Sequence, residues 1–265
     1  MKKYALLMSI VAVSTVGLAE MVTVTDQMDT LSSWSANANW TTTGGIAETT
    51  SDAQFMTLQT GVAAPEASGD WVSAKIKQRV TLGSAGLSAA NQYASRIAIS
   101  GDATGASGLA KSMWTRRDAD AVPGQIWGSA VSVQGATPNW KFGGWNNISE
   151  IGLSSTTNAM SDWFTSEIVI TKTETAYDVV INYYDGTDAV VWTDSLAGTD
   201  LGDLANSGTW YLNMGSEYQF TTSADVAKLE VDQATLTSSI PEPATLGLVA
   251  AFGGAVLFIR RRFML

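Results

Sequence analysis

No cysteine and no histidine occurs anywhere in the 265 residues. Without cysteine there are no disulfides, so an exported fold of this sequence must be held by its core alone. Without either residue the usual ligands of transition metals are missing. Ser-His-Asp and Cys-His nucleophilic catalysis are excluded for the same reason. Positive charge is scarce: 15 Lys and Arg stand against 25 Asp and Glu, a net charge of −10. Such a balance repels phosphate backbones, which argues against nucleic acid as a partner. Also lacking are a sustained helical period, an internal repeat, an EF-hand spacing and a long linker.

Long apolar runs are confined to the two ends. Lys2 and Lys3 precede an apolar stretch over 4–16, and Gly17-Leu18-Ala19 follows it. A basic start, a short apolar core and a small-x-small site predict a secretory signal peptide over 1–19, cut after Ala19 by signal peptidase. At the other end, 244–259 is an uncharged, mostly apolar run followed by Arg260, Arg261 and Arg262. Its 16 residues make a helix of about 24 Å, somewhat short of the roughly 30 Å hydrocarbon core. The arginines can snorkel, so a transmembrane helix is expected over 244–259. The positive-inside bias keeps those arginines cytoplasmic and places the rest of the chain outside.

Residues 20–239 remain as the body, long enough for one domain with a substantial core. With Lys2, Lys3, the three terminal arginines and Glu242 set aside, it holds ten basic and 24 acidic residues, a net charge near −14. Its clearest pattern is a predicted meander. Phe164, Ile168 and Ile170 alternate with Thr165, Glu167, Val169 and Thr171; Tyr177, Val179, Ile181 and Tyr183 form a second apolar face. Asp185-Gly186 is a turn signal, and a third strand follows over 189–193. Further strands are expected over 54–58, 71–82, 93–100, 127–134, 209–214 and 226–236. The stretch 101–152, rich in glycine and holding Pro123 and Pro138, reads as long loops around one or two short strands. The expected fold is all-β, an antiparallel β-sandwich.

Ile240-Pro241-Glu242-Pro243-Ala244-Thr245-Leu246-Gly247-Leu248, the apolar run and Arg260-Arg261-Arg262 resemble the PEP-CTERM sorting signal. Two prolines keep such a segment extended, as presentation to a protease requires. The resemblance, which covers 240–265, implies recognition by an exosortase and cleavage near Pro241-Glu242-Pro243. It also implies transient residence in the inner membrane, a final place in the envelope or outside the cell, and association with exopolysaccharide and biofilm. More loosely, the order Trp163-Phe164 to Val190-Val191-Trp192, with Tyr211-Leu212-Asn213-Met214-Gly215 and Leu229-Glu230-Val231-Asp232, resembles concanavalin-like (laminin-G-like) jelly rolls.

Glu230 and Asp232 sit two residues apart, as an acid pair for glycoside cleavage would. Position 235 is Thr, however, where the laminarinase-like pattern Glu-x-Asp-x-x-Glu needs a third acid. The pair therefore reads as a solvent-facing polar edge, and no catalytic residue is assigned. Asp185, Asp188, Asp200 and Asp203 fall in turn-like segments, where oxygen ligands suit Ca²⁺ but Asp also caps backbone. No metal site and no cofactor is assigned. The ten tryptophans are the unusual feature. Trp163, Trp192 and Trp210 are expected in strands and buried. Trp114, Trp127, Trp140 and Trp145 fall in the loop-rich stretch, and Trp114, Trp140 and Trp145 are the candidate platform for sugar rings. Asn39-Trp40-Thr41 and Asn147-Ile148-Ser149 match a glycosylation triplet that arises by chance in Ser/Thr-rich chains. The sequence thus reads as an exported, non-catalytic surface or matrix protein with glycan binding as its expected activity. The alternative is a secreted glycan-active hydrolase or lyase on a jelly-roll scaffold.

Overall fold

A computed structural model describes residues 21–35, 38–50, 55–82, 92–105, 110–116, 126–133, 140–148, 160–216 and 226–239. The signal peptide, the Pro241-Glu242-Pro243 motif, the helix expected over 244–259 and Arg260–Arg262 lie outside these residues. Among the described residues, no helix is long and apolar enough to cross a membrane.

Fifteen strands make up the described part, with one short 3-10 turn, Gly202–Asn206. They are β1 (Val22–Asp26), β2 (Thr41–Thr43), β3 (Ile46–Thr49), β4 (Phe55–Thr57), β5 (Val62–Ala63), β6 (Trp71–Leu82), β7 (Gln92–Ser100), β8 (Ala110–Arg116), β9 (Ile126–Val133), β10 (Trp140–Ile148), β11 (Phe164–Lys172), β12 (Tyr177–Tyr184), β13 (Val190–Thr199), β14 (Thr209–Ser216) and β15 (Val226–Ser238). All pairings are antiparallel, and they form two sheets. The eight-stranded sheet runs β13-β12-β11-β6-β15-β3-β2; β1 joins it on the edge of β15 that β3 leaves open. The seven-stranded sheet runs β10-β9-β8-β7-β14-β4, with β5 also on β14. Because β1 lies along the last residues of β15, both ends of the body leave the same end of one sheet.

The period-2 faces explain why the sheets pack. On β6, Val72, Ala74, Ile76 and Val80 are at most 1 % exposed, whereas Trp71, Lys75, Lys77 and Arg79 are half-buried on the opposite face. The expected inward face of β12 is also what the structure shows: Tyr177, Val179, Ile181 and Tyr183 are all buried. From the other sheet come Ile97 and Ile99 of β7 and Trp210, Leu212 and Met214 of β14, which complete one continuous core.

One part of the expected organisation is corrected. The stretch 101–152 holds three consecutive antiparallel strands, β8, β9 and β10, where one or two short ones were expected; β9 is the strand expected over 127–134. The pattern of β10 is obscured by irregular register. Phe142 pairs with Ala130, Gly144 with Ser129 and Asn147 with Trp127, so extra residues break the alternation twice within one strand. Bulges and strand glycines do this where a sheet bends.

Candidate functional site

The outer face of the eight-stranded sheet carries a cleft of about 470 Å³. Its floor comes from alternate residues of neighbouring strands: Lys75 and Lys77 of β6, Thr165 of β11, Gln233 and Thr235 of β15. Its walls are Trp163, which immediately precedes β11, Tyr184 at the end of β12, and the turn 185–188. The turn is built by its own sequence. Asp185 Oδ1 accepts hydrogen bonds from Thr187 N (2.8 Å), Thr187 Oγ1 (2.7 Å) and Ala189 N (3.1 Å). These bonds hold the exposed Asp185 carboxyl below its ordinary range. Asp188 closes the turn in the left-handed region, with φ of 63°. Gly186 has little room for a side chain, since a Cβ there would stand 3.3 Å from the Trp163 carbonyl.

Two cations lie against the Trp163 ring. The Arg79 guanidinium lies 4.6 Å from its centroid and Lys77 Nζ 5.7 Å. Each of these cations is also committed to an acid. Lys77 Nζ donates to Asp232 at 2.7 Å, and Arg79 forms a two-pronged pair with Glu230 at 2.7 and 2.9 Å. Lys75 lies 3.3 Å from Glu167 and 4.8 Å from the Tyr184 ring centre. Glu167 is buried, and it accepts hydrogen bonds from Ser73 Oγ (2.6 Å), Asn182 Nδ2 (2.9 Å) and the Tyr184 hydroxyl.

Burial alone would raise the Glu167 carboxyl, but the bonds from Ser73, Tyr184 and Asn182 and the charge of Lys75 outweigh it. The net direction is below the ordinary carboxylate range. Glu230 behaves alike: burial opposes ionisation, while Arg79 and Lys228 overcome it. Burial and the bond to Glu167 push the Tyr184 phenol up, so it stays protonated as a donor. Both directions run opposite to the raised pKa of a general acid. What the cleft offers is an aromatic face beside fixed donors and acceptors.

Several expected positions differ. Trp192 and Trp210 are buried in strands as expected, with Trp192 packed at 5.5 Å on Tyr183. Trp163 is neither in a strand nor buried; it stands half-exposed as the cleft wall. Trp114 lies in β8, Trp127 in β9, and Trp140 and Trp145 in β10, so they are strand residues and not loop residues. Their side chains lie outside the described part. Glu230 is not a solvent-facing edge, since it is 3 % exposed beneath Arg79 and Lys228. The reason is its place in the sheet: Glu230 stands between Arg79 of β6 and Glu48 of β3, under the Arg79 and Lys228 side chains, whereas Asp232 is the extra residue of a bulge between Val231 and Gln233. Glu230 and Asp232 thereby serve different cations. Asp185 and Asp200 cap turns, with Asp200 Oδ1 accepting from Gly202 N at 2.9 Å. Among the described residues, no three acidic residues gather as a metal site.

Two sheets in this order invite comparison with solved structures. A peanut lectin with a nine-residue peptide is similar over 83 % of this chain and 97 % of that one, at 11 % identity and a TM-score of 0.51. Winged bean acidic lectin complexed with methyl-α-D-galactose is similar over 84 % and 100 %, at 9 % identity and a TM-score of 0.52. The fold is a lectin-like jelly roll. Lectin I-B4 from Griffonia simplicifolia, in a metal-free form, agrees over 82 % and 99 %, with 11 % identity and a TM-score of 0.51. No protein-family model and no curated protein sequence matches the chain.

The cleft itself was not anticipated from the sequence. Its signal is the outward row Trp71, Ser73, Lys75, Lys77 and Arg79 on β6, three cations on one strand face of an acidic protein. Such a row needs acids opposite, and β11 and β15 supply Glu167, Glu230 and Asp232.

Proposed function

We propose that the protein is an exported, non-catalytic glycan-binding component of the cell envelope or its extracellular matrix. The observation that carries this is the half-exposed Trp163 ring, braced by Arg79 and Lys77 over a cleft lined with amide, hydroxyl, amine and carboxylate groups. Sugar rings present an apolar face to an aromatic plane and hydroxyls to its polar rim. The non-catalytic part of the reading is supported by the commitment of Glu167 and Glu230 to cations and hydrogen bonds.

Affinity electrophoresis of the full chain in gels containing neutral polysaccharides tests this. Trp163→Ala should weaken retardation several-fold, the effect of about 1 kcal/mol for one aromatic contact. Its melting temperature should change little, because the ring is already half in solvent. Trp114→Ala, Trp140→Ala and Trp145→Ala belong in the same gel. Retardation lost in those three and kept in Trp163→Ala would move the glycan surface to the seven-stranded sheet. New reducing ends released from the polysaccharide would instead make the protein an enzyme.

Export and sorting are part of the proposal, with signal peptidase acting after Ala19 and an exosortase acting near Pro241-Glu242-Pro243. Support comes from the two terminal motifs. Intact-mass spectrometry of the protein recovered outside the cytoplasm should find both ends removed. A mature mass that still includes 252–265 would sink the sorting claim.

A further inference from the structure

The Trp163 cleft does not end at Lys75. A second cleft, of about 530 Å³, continues along the same face and shares Lys75 and Thr235 with the first. Its far wall is Trp71, half-buried, and its floor includes Ser73, Glu167 and Thr171. All these residues occupy the outward set of β6, β11 and β15, so the two clefts form one groove running along the strands. Phe164 pairs with Gln78, which puts Trp163 level with Arg79, and Thr171 pairs with Trp71. At about 3.4 Å per residue, the eight steps from Trp71 to Arg79 span about 27 Å, the length of about five hexose units in an extended chain.

The groove also carries no excess of positive charge. Lys75, Lys77 and Arg79 each face their own acid, and Asp185 and Asp188 add two more at the Trp163 end. No cation is left in surplus to attract a polyanion, and the surrounding body is acidic. We infer that the ligand is a linear, neutral polysaccharide that lies along β6 with one aromatic contact at each end. This rests on the glycan-binding reading above and narrows it to a substrate class: uncharged, unbranched and bound by an internal stretch.

The experiment takes the neutral polysaccharide that most retards the full chain, cuts it to oligomers of two to six units, and measures Kd for each by calorimetry. Affinity should climb with length and gain about five- to tenfold once the chain reaches the second ring. Trp71→Ala should erase that gain, and Trp71→Phe, which keeps a ring, should restore much of it. Melting curves of both variants keep loss of fold apart from loss of contact. Equal affinity for two and six units overturns this inference while leaving the glycan reading intact. Tighter binding of a uronic-acid hexamer than of the neutral hexamer overturns it as well. Loss of self-association in Trp71→Ala, with the length dependence unchanged, would assign the face to a second copy of the chain. Failure of every polysaccharide to retard the protein removes the glycan reading itself.

Discussion

Trp210→Ala is expected to lower folding stability by about 3–5 kcal/mol, the usual cost of truncating a fully buried Trp. Trp210 is 0 % exposed and is the largest of the fully buried side chains among the described residues. Its ring centre lies 6.1 Å from that of Tyr177, which reaches in from the opposite sheet. Its indole N–H donates to the Leu204 carbonyl at 3.1 Å, tying the 3-10 turn to β14. Truncation therefore opens a cavity between the sheets and removes one of the two hydrogen bonds that the Leu204 carbonyl accepts, the other coming from Ser207 N. For a body of this size the melting temperature should drop by roughly 6–20 °C. Thermal and urea denaturation followed by far-UV circular dichroism would measure it. A loss below about 1 kcal/mol would mean that the core around Trp210 can collapse onto the gap. Trp163→Ala is the contrasting case, since its ring stands in the cleft wall.

That contrast marks how far the residues alone could be read. Strict alternation with few glycines, as in Tyr177, Val179, Ile181 and Tyr183, showed both the strand and its buried face, because side-chain direction follows a period of 2. The meander and the strands 71–82 and 226–236 were legible for the same reason. Alternation fails where the backbone inserts a residue. The bulge at Asp232 reverses the faces beyond Val231, so Ala234 and Leu236 point into the core while Gln233 and Thr235 line the cleft; Glu230, before it, is buried by the cover of Arg79 and Lys228. The register shifts around Gly144 hid β10. The clefts were illegible for a different reason: they are made of residues far apart in sequence, such as Lys75, Glu167 and Thr235. Only the strand order β11-β6-β15 brings them side by side. A tryptophan one residue outside a strand, like Trp163, carries no pattern that tells wall from core.

Arg79→Ala should destabilise the fold by about 2–4 kcal/mol at neutral pH, because it strands a buried charge. Glu230 is 4 % exposed at its side chain and Arg79 24 %, and the remaining cation, Lys228, lies 3.0 Å away on the other side. In the native protein the Glu230 carboxyl is held low by these two cations against its burial. A folded pKa below the unfolded value contributes stability that is present above about pH 4.3 and lost as pH falls through the folded pKa. Without Arg79 only Lys228 opposes the burial, so the folded pKa rises and Glu230 loses stability that it contributed at neutral pH. The gap in stability between the native chain and Arg79→Ala should therefore be wide at pH 7 and narrow toward pH 4. Arg79→Leu combined with Glu230→Leu should restore most of the loss, since the buried pair is replaced as a whole and Lys228 keeps Glu48 as its partner. A gap that stays constant with pH would show that Arg79 acts through its packing on the Trp163 ring. In that event the double variant would remain as unstable as the single one. The cleft would then depend on Arg79 for its shape alone.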